Sequence, residues 1–290
     1  MMKRVIIAND LPGVGKVALA AAMPLMAACQ IEAAPLPTVL LSSHTAGFSP
    51  LFSDDYSRGM AEILKIWQDS SYSFDGLVAG YLRSKEQIRL LLDFLERKPL
   101  PLFLDPIMAD NGSLYQGFTN DQVSEMRRLS RQADLIIPNL TEAALLTETP
   151  YLEEGYQPQA IEDLLEKLSQ LGPSIVILTG VSFESEKIGL AISQKGQVTY
   201  LMSPAYPDHF YGTGDVLTSI LAAAYFQGVE LIAAAKLALA FLDKSLQTTL
   251  ALNRALKFGL CFEPHLGDFI RDYQRLLEER DEKRAFTSVY

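Results

Sequence analysis

Short apolar runs alternate with amphipathic segments along most of the chain. Each run is continuously apolar, which is typical of strands that are covered on both faces. Six such runs occur, at Arg4–Ala8, Pro37–Leu41, Gly76–Gly80, Leu102–Leu104, Leu135–Ile137 and Ile175–Leu178. Between them, helical spacing is clearest in Lys85–Arg97 and Ala160–Leu171. Strands that alternate with helices of this length predict βαβ units and a parallel sheet.

The last third of the chain departs from this alternation. Two short strands, Lys187–Ile192 and Val198–Met202, are separated by a glycine-containing turn and predict a hairpin at the sheet edge. After Tyr211 the pattern is helical, and charged residues within the apolar stretch Ile220–Ala240 favour one buried helix over a membrane span. No linker-like stretch divides the chain. We therefore predict one α/β domain over residues 1–290, with three α/β/α layers and a mostly parallel central sheet.

Composition and charge narrow the classes of function. The chain has 290 residues, of which 49% are hydrophobic, so it can bury a sizeable core. It carries 25 Lys and Arg against 35 Asp and Glu, a formal net charge of −10. An acidic chain lacks the positive surface that nucleic acid or an anionic membrane attracts, so we expect neither as a partner. A small anion remains compatible, because backbone amides and a metal ion can bind it locally.

Cysteine usage and the N-terminus indicate a cytoplasmic protein. Cys29 and Cys261 belong to no CxxC pair, so we predict reduced thiols rather than a structural zinc site. Lys3 and Arg4 precede an apolar region that ends in Met26–Cys29, which faintly resembles a lipoprotein cleavage site. Polar residues, glycines and prolines interrupt that region, which argues against processing.

Polar residues follow each of the six predicted parallel strands. In open parallel sheets, ligands bind beyond the carboxyl ends of the strands. The residues at these ends are Asn9-Asp10, Ser42–Thr45, Tyr81, Asp105, Asn139 with Glu142 close behind, and Thr179-Gly180. Loops are polar in any protein, so this pattern gains weight only together with specific motifs.

The most informative motif is Gly212-Thr213-Gly214-Asp215, at the start of a predicted helix. Two glycines let successive amide N–H groups converge at a helix N-terminus, where the helix dipole favours an anion. A carboxylate at Asp215 could there accept the proton of a hydroxyl that attacks a bound phosphoryl group. The alternative is a glycine turn with Asp215 as a favourable first-turn acid, and spacing alone leaves both open.

Asp105 and Glu142 follow neighbouring strands and suit a magnesium site. Mg²⁺ keeps several waters and takes only one or two protein carboxylates. Structural explanations stand beside this one. Asp105 precedes a proline and can belong to a turn, while Asn139 and Glu142 can form the N-cap and the third-residue partner of a capping box.

The segment Gly13–Lys16 invites two further interpretations. A P-loop needs a glycine where Asp10 stands and a hydroxyl residue where Val17 stands, so that interpretation fails. A dinucleotide fingerprint through Gly13 and Gly15 is compatible with the strand-to-helix position, but no acid ends the second strand. A glycine-rich structural turn explains the segment equally well.

Taken together, the motifs resemble the ribokinase-like family of small-molecule kinases and, within it, the pyridoxal kinase branch. The family has a G-x-G-D signature at a late helix start, which Gly212–Asp215 matches. The branch has similar segments in the same order, matched here by Ser43-His44-Thr45, Gly80-Tyr81-Leu82, Asp105-Pro106-Ile107-Met108-Ala109-Asp110 and Pro138-Asn139-Leu140-Thr141-Glu142. The resemblance covers residues 5 to about 225.

The resemblance implies transfer of the ATP γ-phosphoryl group to the 5′-hydroxymethyl of pyridoxal, pyridoxine or pyridoxamine. Asp215 would be the general base, and the amides of Gly212, Thr213 and Gly214 would form the anion hole. By the same resemblance, the other roles would be Mg²⁺ binding by Asp105 and Glu142, nucleotide phosphate contacts by Asn139, Thr179 and Gly180, and a vitamin pocket lined by Asn9, Thr45 and Tyr81. Members are typically homodimers, and some need a monovalent cation.

Three departures bear on the identity of the substrate. Asn9 stands where many pyridoxal kinases have a serine, and Ala46 and Ala109 replace glycines common in the family loops. Hydroxymethylpyrimidine kinase is therefore an alternative within the family. A nicotinamide-dependent oxidoreductase using Gly13 and Gly15, and a non-catalytic binding protein on the same fold, are alternatives from other classes.

Overall fold

In the computed structural model, which describes residues 2–287, a nine-stranded sheet forms the centre of the molecule. Its strand order is β11-β10-β9-β8-β5-β4-β1-β2-β3, and β6 and β7 pair separately as a two-stranded ribbon. The strands are β1 (Lys3–Pro12), β2 (Ile31–Leu41), β3 (Ser53–Asp55), β4 (Gly76–Ala79), β5 (Leu102–Leu104), β6 (Ala109–Asp110), β7 (Ser113–Leu114), β8 (Leu135–Ile136), β9 (Ile175–Glu184), β10 (Lys187–Gln194) and β11 (Gln197–Pro204). The six central strands from β2 to β9 are parallel, while β3, β10 and β11 join antiparallel at the edges.

Helices cover both faces of the sheet. They are α1 (Ala18–Ala28), α2 (Ser57–Asp69), α3 (Lys85–Arg97), α4 (Asn120–Ser130), α5 (Leu140–Thr147), α6 (Pro158–Gln170), α7 (Thr213–Gln227), α8 (Leu231–Ala251) and α9 (Leu266–Thr287). Core residues of α1, α7, α8 and α9 form one apolar cluster, and those of α2 to α6 form another on the opposite face. The three-layer α/β/α arrangement expected from the sequence is thus confirmed.

Strand β1 shows why its sequence is continuously apolar. Val5 and Ile7 pack into the cluster with α1 and α7, whereas Ile6 and Ala8 pack into the opposite cluster. A strand buried on both faces has no polar face, so its apolar run does not alternate.

The strand order changes direction at β1, and a crevice forms at such a point because the connections on its two sides run in opposite directions. The chain leaves β1 through α1 to β2 on one side, whereas β4, on the other side, leads through α3 to β5. In open parallel sheets the crevice beyond the carboxyl ends at such a switch point is where ligands bind. Asn9 and Tyr81 lie beside this crevice, at the ends of β1 and β4.

Most predicted strands lie where the apolar runs placed them, and the hairpin of β10 and β11 is confirmed. Strand β2, however, begins at Ile31 rather than Pro37. It contains Pro35 and Pro37, which cannot donate hydrogen bonds to a neighbouring strand. They are accommodated because β3 pairs only with Val39–Leu41, which leaves the earlier part of β2 at the open edge of the sheet.

The prediction of one helix over Ile220–Ala240 is wrong. Helix α7 ends at Gly228, which has a left-handed φ of 69°, and α8 begins after Glu230. The Glu230 side chain accepts hydrogen bonds from the amides of Ile232 and Ala233 and so caps α8. No helix within residues 2–287 combines the length and apolarity needed to span a bilayer. Cys29 and Cys261 are both free and buried.

Candidate active site

The N-terminus of α7 is open toward the carboxyl edge of the sheet. Gly212 precedes the helix with a φ of 87°, and a Cβ there would collide with the carbonyl oxygen of Lys16, so this position requires glycine. Because the N-cap residue is glycine, it has no side chain to cap the first amides of the helix. A Cβ added to Gly214 would meet nothing within 4 Å. The first amides of α7 therefore face free space in which the helix dipole favours an anion.

Asp215 lies in the first turn of α7, as the sequence predicts. The backbone N–H groups of Ala18, the first residue of α1, and of Asp215 itself lie near its carboxylate. Burial raises the pKa of this carboxyl above its usual range, while the two N–H groups oppose the shift. Two helix N-termini thus meet at this side chain.

Asp105 and Glu142 are two buried carboxyl groups that line the same cavity. Asp105 Oδ2 accepts a hydrogen bond from Thr218 Oγ1 at 2.6 Å. Burial raises the pKa of Asp105 to about 7, and the charge of Asp215 adds to the rise. Burial and the charge of Asp105 likewise raise the pKa of Glu142. The charge of Asp215 thus disfavours ionisation of Asp105, and the charge of Asp105 disfavours ionisation of Glu142.

Asn139 and Glu142 form the capping box that the sequence offered as a structural explanation. Asn139 Oδ1 accepts from the amides of Thr141 and Glu142 at 2.9 Å, and Glu142 Oε2 accepts from the Asn139 amide at 2.9 Å. Glu142 Oε1 also accepts from the Met108 amide at 3.1 Å. The cap does not remove these residues from the site, because both line the cavity in front of α7.

Two adjoining cavities gather most of the residues selected from the sequence. The inner cavity, of about 280 Å³, is lined by Asp105, Asn139, Glu142, Thr179, Gly212, Thr213, Gly214 and Asp215 among others. The outer cavity, of about 450 Å³, shares Asn139, Thr179, Thr213 and Gly214 with it and adds Gly180. Selected residues from four parts of the chain thus meet at one carboxyl edge of the sheet.

The outer cavity has an apolar wall that sequence reasoning missed. Leu239, Leu242 and Leu246 of α8 line it together with Ile188 and Pro204. These residues are apolar and far apart in sequence, so no motif identifies them. Tyr206, also in the lining, is fixed by a 2.6 Å hydrogen bond from its hydroxyl to Asp243 Oδ1.

Tyr115 is a second lining residue that the sequence did not indicate. It follows β7 and is held by a hydrogen bond from its amide to the Met108 carbonyl at 2.9 Å. Burial raises the pKa of its hydroxyl, and the charges of Glu142, Asp110 and Asp105 add to the shift. The phenol therefore lies among the acids of the inner cavity, where it remains a hydrogen-bond donor.

Asn9 and Tyr81 meet at the switch point. Asn9 Oδ1 accepts from the Tyr81 amide at 2.9 Å, which joins the ends of β1 and β4. The ring of Tyr81 is half-buried and contacts Phe118 edge-on at 5.4 Å. The side chain of Asn9 therefore positions Tyr81, a role that its sequence position did not reveal.

The structure leaves Thr45, the third predicted pocket residue, exposed. It hydrogen-bonds no other residue of the described chain. The neighbouring His44 is buried, and its ring lies 4.9 Å from that of Tyr211, next to Gly212. The loop that carries Thr45 is thereby attached to the start of α7.

Gly13–Lys16 forms a packed turn. Gly15 has a φ of 104°, and a Cβ there would lie 2.6 Å from the His44 ring. The Lys16 amide donates to the Phe258 carbonyl at 3.2 Å, and the Ala18 amide lies near the Asp215 carboxylate. The start of α1, where a dinucleotide phosphate would bind, is therefore packed against other parts of the chain. This agrees with the interpretation of Gly13–Lys16 as a structural turn.

The sheet order, the layers of helices and the helix N-terminus at the carboxyl edge are those of the ribokinase-like class of α/β proteins. The sequence profile of the phosphomethylpyrimidine kinase family matches residues 26–258. The chain belongs to this family.

Solved structures agree with the class and with the resemblance found in the sequence. Pyridoxal kinase from Lactobacillus plantarum is 33% identical, with a TM-score of 0.87 over 93% of this chain and 98% of that one. A Bacteroides thetaiotaomicron protein crystallised with pyridoxal is 32% identical, with a TM-score of 0.86 over 93% of this chain and 96% of that one. The expected resemblance to pyridoxal kinases is thus confirmed.

Among curated relatives, the chloroplastic thiamine biosynthetic bifunctional enzyme of Arabidopsis thaliana is 28% identical over 184 residues, 61% of this chain. The chain spans only 34% of that enzyme and between 62% and 68% of the other curated relatives it matches.

Proposed function

We propose that this protein transfers the γ-phosphoryl group of ATP to the 5′-hydroxymethyl group of pyridoxal, pyridoxine or pyridoxamine. The observation that carries the proposal is the Asp215 carboxylate, which lies near the Ala18 amide in the first turn of α7. It lines a cavity that also contains two further buried acids, Asp105 and Glu142. Phosphoryl transfer needs this combination of a base, an anion site and groups that suit a metal ion.

In the proposed reaction, Asp215 accepts the proton of the acceptor hydroxyl while that oxygen attacks the γ-phosphorus. The bond from the γ-phosphorus to the β,γ-bridging oxygen breaks, and ADP leaves. The amides of Gly212, Thr213 and Gly214 would stabilise the charge on the transferred group, since donors fixed in advance are most effective there. The raised pKa of Asp215 makes its carboxylate a better proton acceptor than a solvent-exposed aspartate.

ATP would occupy both cavities. Asn139, Thr179 and Gly180 lie where the two cavities join or border, and we propose that they contact the phosphates. The apolar wall formed by Leu239, Leu242 and Leu246 suits a flat base.

Asp105 and Glu142 fit Mg²⁺ on chemical grounds. Both are hard oxygen donors and both are buried. The pKa of each carboxyl is raised, and a divalent cation bound beside them would lower both values. The described residues contain no cluster of three or more acidic, histidine or cysteine side chains that could hold a metal alone. Mg²⁺ at such a site is completed by phosphates and waters, and it would neutralise charge on the nucleotide.

For the acceptor, we propose a pocket at the switch point, lined by Asn9, Thr45 and Tyr81. The contact between Asn9 and Tyr81 supports this assignment, as does the similarity to the Bacteroides thetaiotaomicron protein crystallised with pyridoxal. The ring of Tyr81 supplies an apolar face on which a pyridine ring can stack.

We propose four further properties. The homodimer and the monovalent cation are implied by the family resemblance, whereas the single domain and the cytoplasmic location rest on the sequence pattern and on cysteine usage. The protein would act as one domain over residues 1–290, in the cytoplasm, as a homodimer, and would need a monovalent cation for full activity. Sedimentation velocity tests the dimer. Assays in potassium and in tetramethylammonium buffers test the cation, and fluorescence microscopy of a tagged chain in its own cells tests the location.

The experiment that tests the function is formation of pyridoxal 5′-phosphate from purified protein, pyridoxal, ATP and Mg²⁺. We expect product at a rate proportional to enzyme concentration, and none when Mg²⁺ is chelated. A folded protein that phosphorylates none of the three vitamers would contradict the proposal and favour a non-catalytic binding protein.

Hydroxymethylpyrimidine kinase is the second candidate, because the family profile carries the name phosphomethylpyrimidine kinase. The same assay with hydroxymethylpyrimidine as acceptor separates the two. We expect a higher kcat/KM for the best B6 vitamer. A higher kcat/KM for the pyrimidine would identify hydroxymethylpyrimidine as the acceptor and would leave the proposed phosphoryl transfer unchanged.

A further inference from the structure

Asp10 is a buried acid that the proposed reaction does not use. It lies one residue beyond Asn9 in β1, and only 8% of its surface is exposed. Its neighbour Asn9 is engaged, since Asn9 Oδ1 accepts from the amides of both Asp10 and Tyr81. The Asp10 carboxylate accepts no hydrogen bond from another described residue, and its own amide donates to Asn9. A buried carboxylate with so few partners is unfavourable unless a ligand completes it.

Among the described residues, the charged group that shifts the pKa of Asp10 is Asp215, which is itself an acid. No ion pair within residues 2–287 includes Asp10. The protein thus supplies no counter-charge of its own, and burial together with the charge of Asp215 raises the pKa of Asp10 to about 7.

Asp10 lies between the residues assigned to the acceptor. The pairing of β1 with β2 shifts register between Asn9 and Leu11, where Thr38 and Val39 of β2 stand opposite Asp10 alone. The extra residue belongs to β2, and bulges of this kind recur next to active sites. The charge of Asp10 raises the pKa of Tyr81, and the charge of Asp215 raises the pKa of Asp10, so Asp10 lies within electrostatic range of both. A ring that stacks on Tyr81 and presents a hydroxyl to Asp215 would place its other substituents near Asp10.

We propose that Asp10 is a specificity-determining residue of the acceptor pocket and binds a cationic nitrogen of the acceptor. This inference rests on the proposed function for the identity of the pocket. Two nitrogens have the required chemistry, namely the exocyclic ammonium of pyridoxamine and the protonated ring nitrogen shared by all three vitamers. A carboxylate binds either as a charge-assisted hydrogen bond.

The test is acceptor binding, measured by calorimetry without ATP, so that it does not depend on turnover. Wild type, Asp10→Asn and Asp10→Ser are compared for pyridoxamine and for pyridoxine, which has a neutral hydroxymethyl in place of the amine. Asp54→Asn, at an exposed acid of β3, is the matched control. We expect Kd for pyridoxamine to rise about 10–100-fold in both Asp10 variants and to stay unchanged in the control.

The second acceptor tells the two nitrogens apart. A loss confined to pyridoxamine identifies the exocyclic amine, and an equal loss for pyridoxine identifies the ring nitrogen. Unchanged Kd values for both acceptors in folded Asp10 variants would overturn the inference, as would a wild type that binds neither. Steady-state kinetics then separate the two proposals. A rise in KM with kcat retained supports binding by Asp10, whereas wild-type binding without turnover contradicts only the kinase reaction.

Discussion

Three aspartates at the carboxyl edge of the sheet differ in the partners that hold them. The Asp215 carboxylate lies near the Ala18 amide, Asp105 accepts a hydrogen bond from the Thr218 hydroxyl, and Asp10 accepts none from the other described residues. Burial raises the pKa of all three. Their ionised forms at neutral pH therefore cost folding free energy, which ligands of opposite charge would restore.

Replacing Asp10 by asparagine should stabilise the ligand-free protein at high pH. The folded pKa of about 7 lies above the ordinary value of 3.8, so the folded chain holds a proton that the unfolded chain releases. Stability conferred by that proton is lost as pH rises from about 4 to 7. We expect Asp10→Asn to exceed wild type by up to about 4 kcal/mol at pH 8 and to match it near pH 4.

Urea unfolding at both pH values measures this difference. The exposed Asp54→Asn variant serves as the control and should follow wild type throughout. A constant offset between Asp10→Asn and wild type at both pH values would show that Asp10 does not titrate in this range.

At the scale of elements, two glycines at the start of α7 are under different constraints. Gly212 has a positive φ and packs against the Lys16 carbonyl, whereas Gly214 has neither constraint and faces the cavity. The two positions are two residues apart, so they form a matched pair for substitution.

Gly212→Ala should destabilise the protein by about 1–3 kcal/mol, because alanine is strained at positive φ and meets Lys16. Gly214→Ala should leave stability within about 0.5 kcal/mol but raise KM for MgATP, since its methyl enters the space proposed for phosphate. Thermal unfolding and steady-state kinetics check both variants. Equal stability losses would contradict the assignment of Gly214 to the phosphate site.

At the scale of the whole molecule, the two cavities share one edge of the sheet and are built from distant segments. Ligands that bridge these segments stabilise only the folded state. MgATP at about 100 times its Kd should therefore raise the free energy of unfolding by about 2.7 kcal/mol. NAD at the same concentration should have no effect, because the start of α1 is packed. Protection by NAD alone in thermal unfolding would favour the oxidoreductase alternative.

The fold could be predicted from the sequence to the extent that burial follows a repeating pattern. Strand β5 and helix α3 begin and end as predicted, since apolar runs and helical spacing mark them directly. The first part of β2 was missed because Pro35 argues against a strand unless its edge is open. The break at Gly228 was missed because the residues on both sides are equally apolar.

Site residues that belong to short sequence motifs could be predicted, whereas residues brought to the site by tertiary packing could not. Asp215, Asp105 and Glu142 follow short motifs, and the structure brings all three to one cavity. Asp10 was visible as a polar residue at a strand end, but its burial depends on the packing of segments that are distant in sequence. The apolar wall on α8 has no motif because leucines are common in every helix.

The central claim is that Asp215 is the base in phosphoryl transfer. The most direct test is the rate of pyridoxal phosphorylation by Asp215→Asn, with binding of pyridoxal and MgATP measured on the same sample. Asparagine keeps an oxygen near the Ala18 amide but cannot take the proton. Asp121→Asn, at an exposed first-turn acid of α4, is the matched control.

We predict that kcat falls about 10²–10⁴-fold in Asp215→Asn while both ligands still bind, and that the control retains wild-type kcat. A folded Asp215→Asn protein that turns over pyridoxal at the wild-type rate would contradict the account.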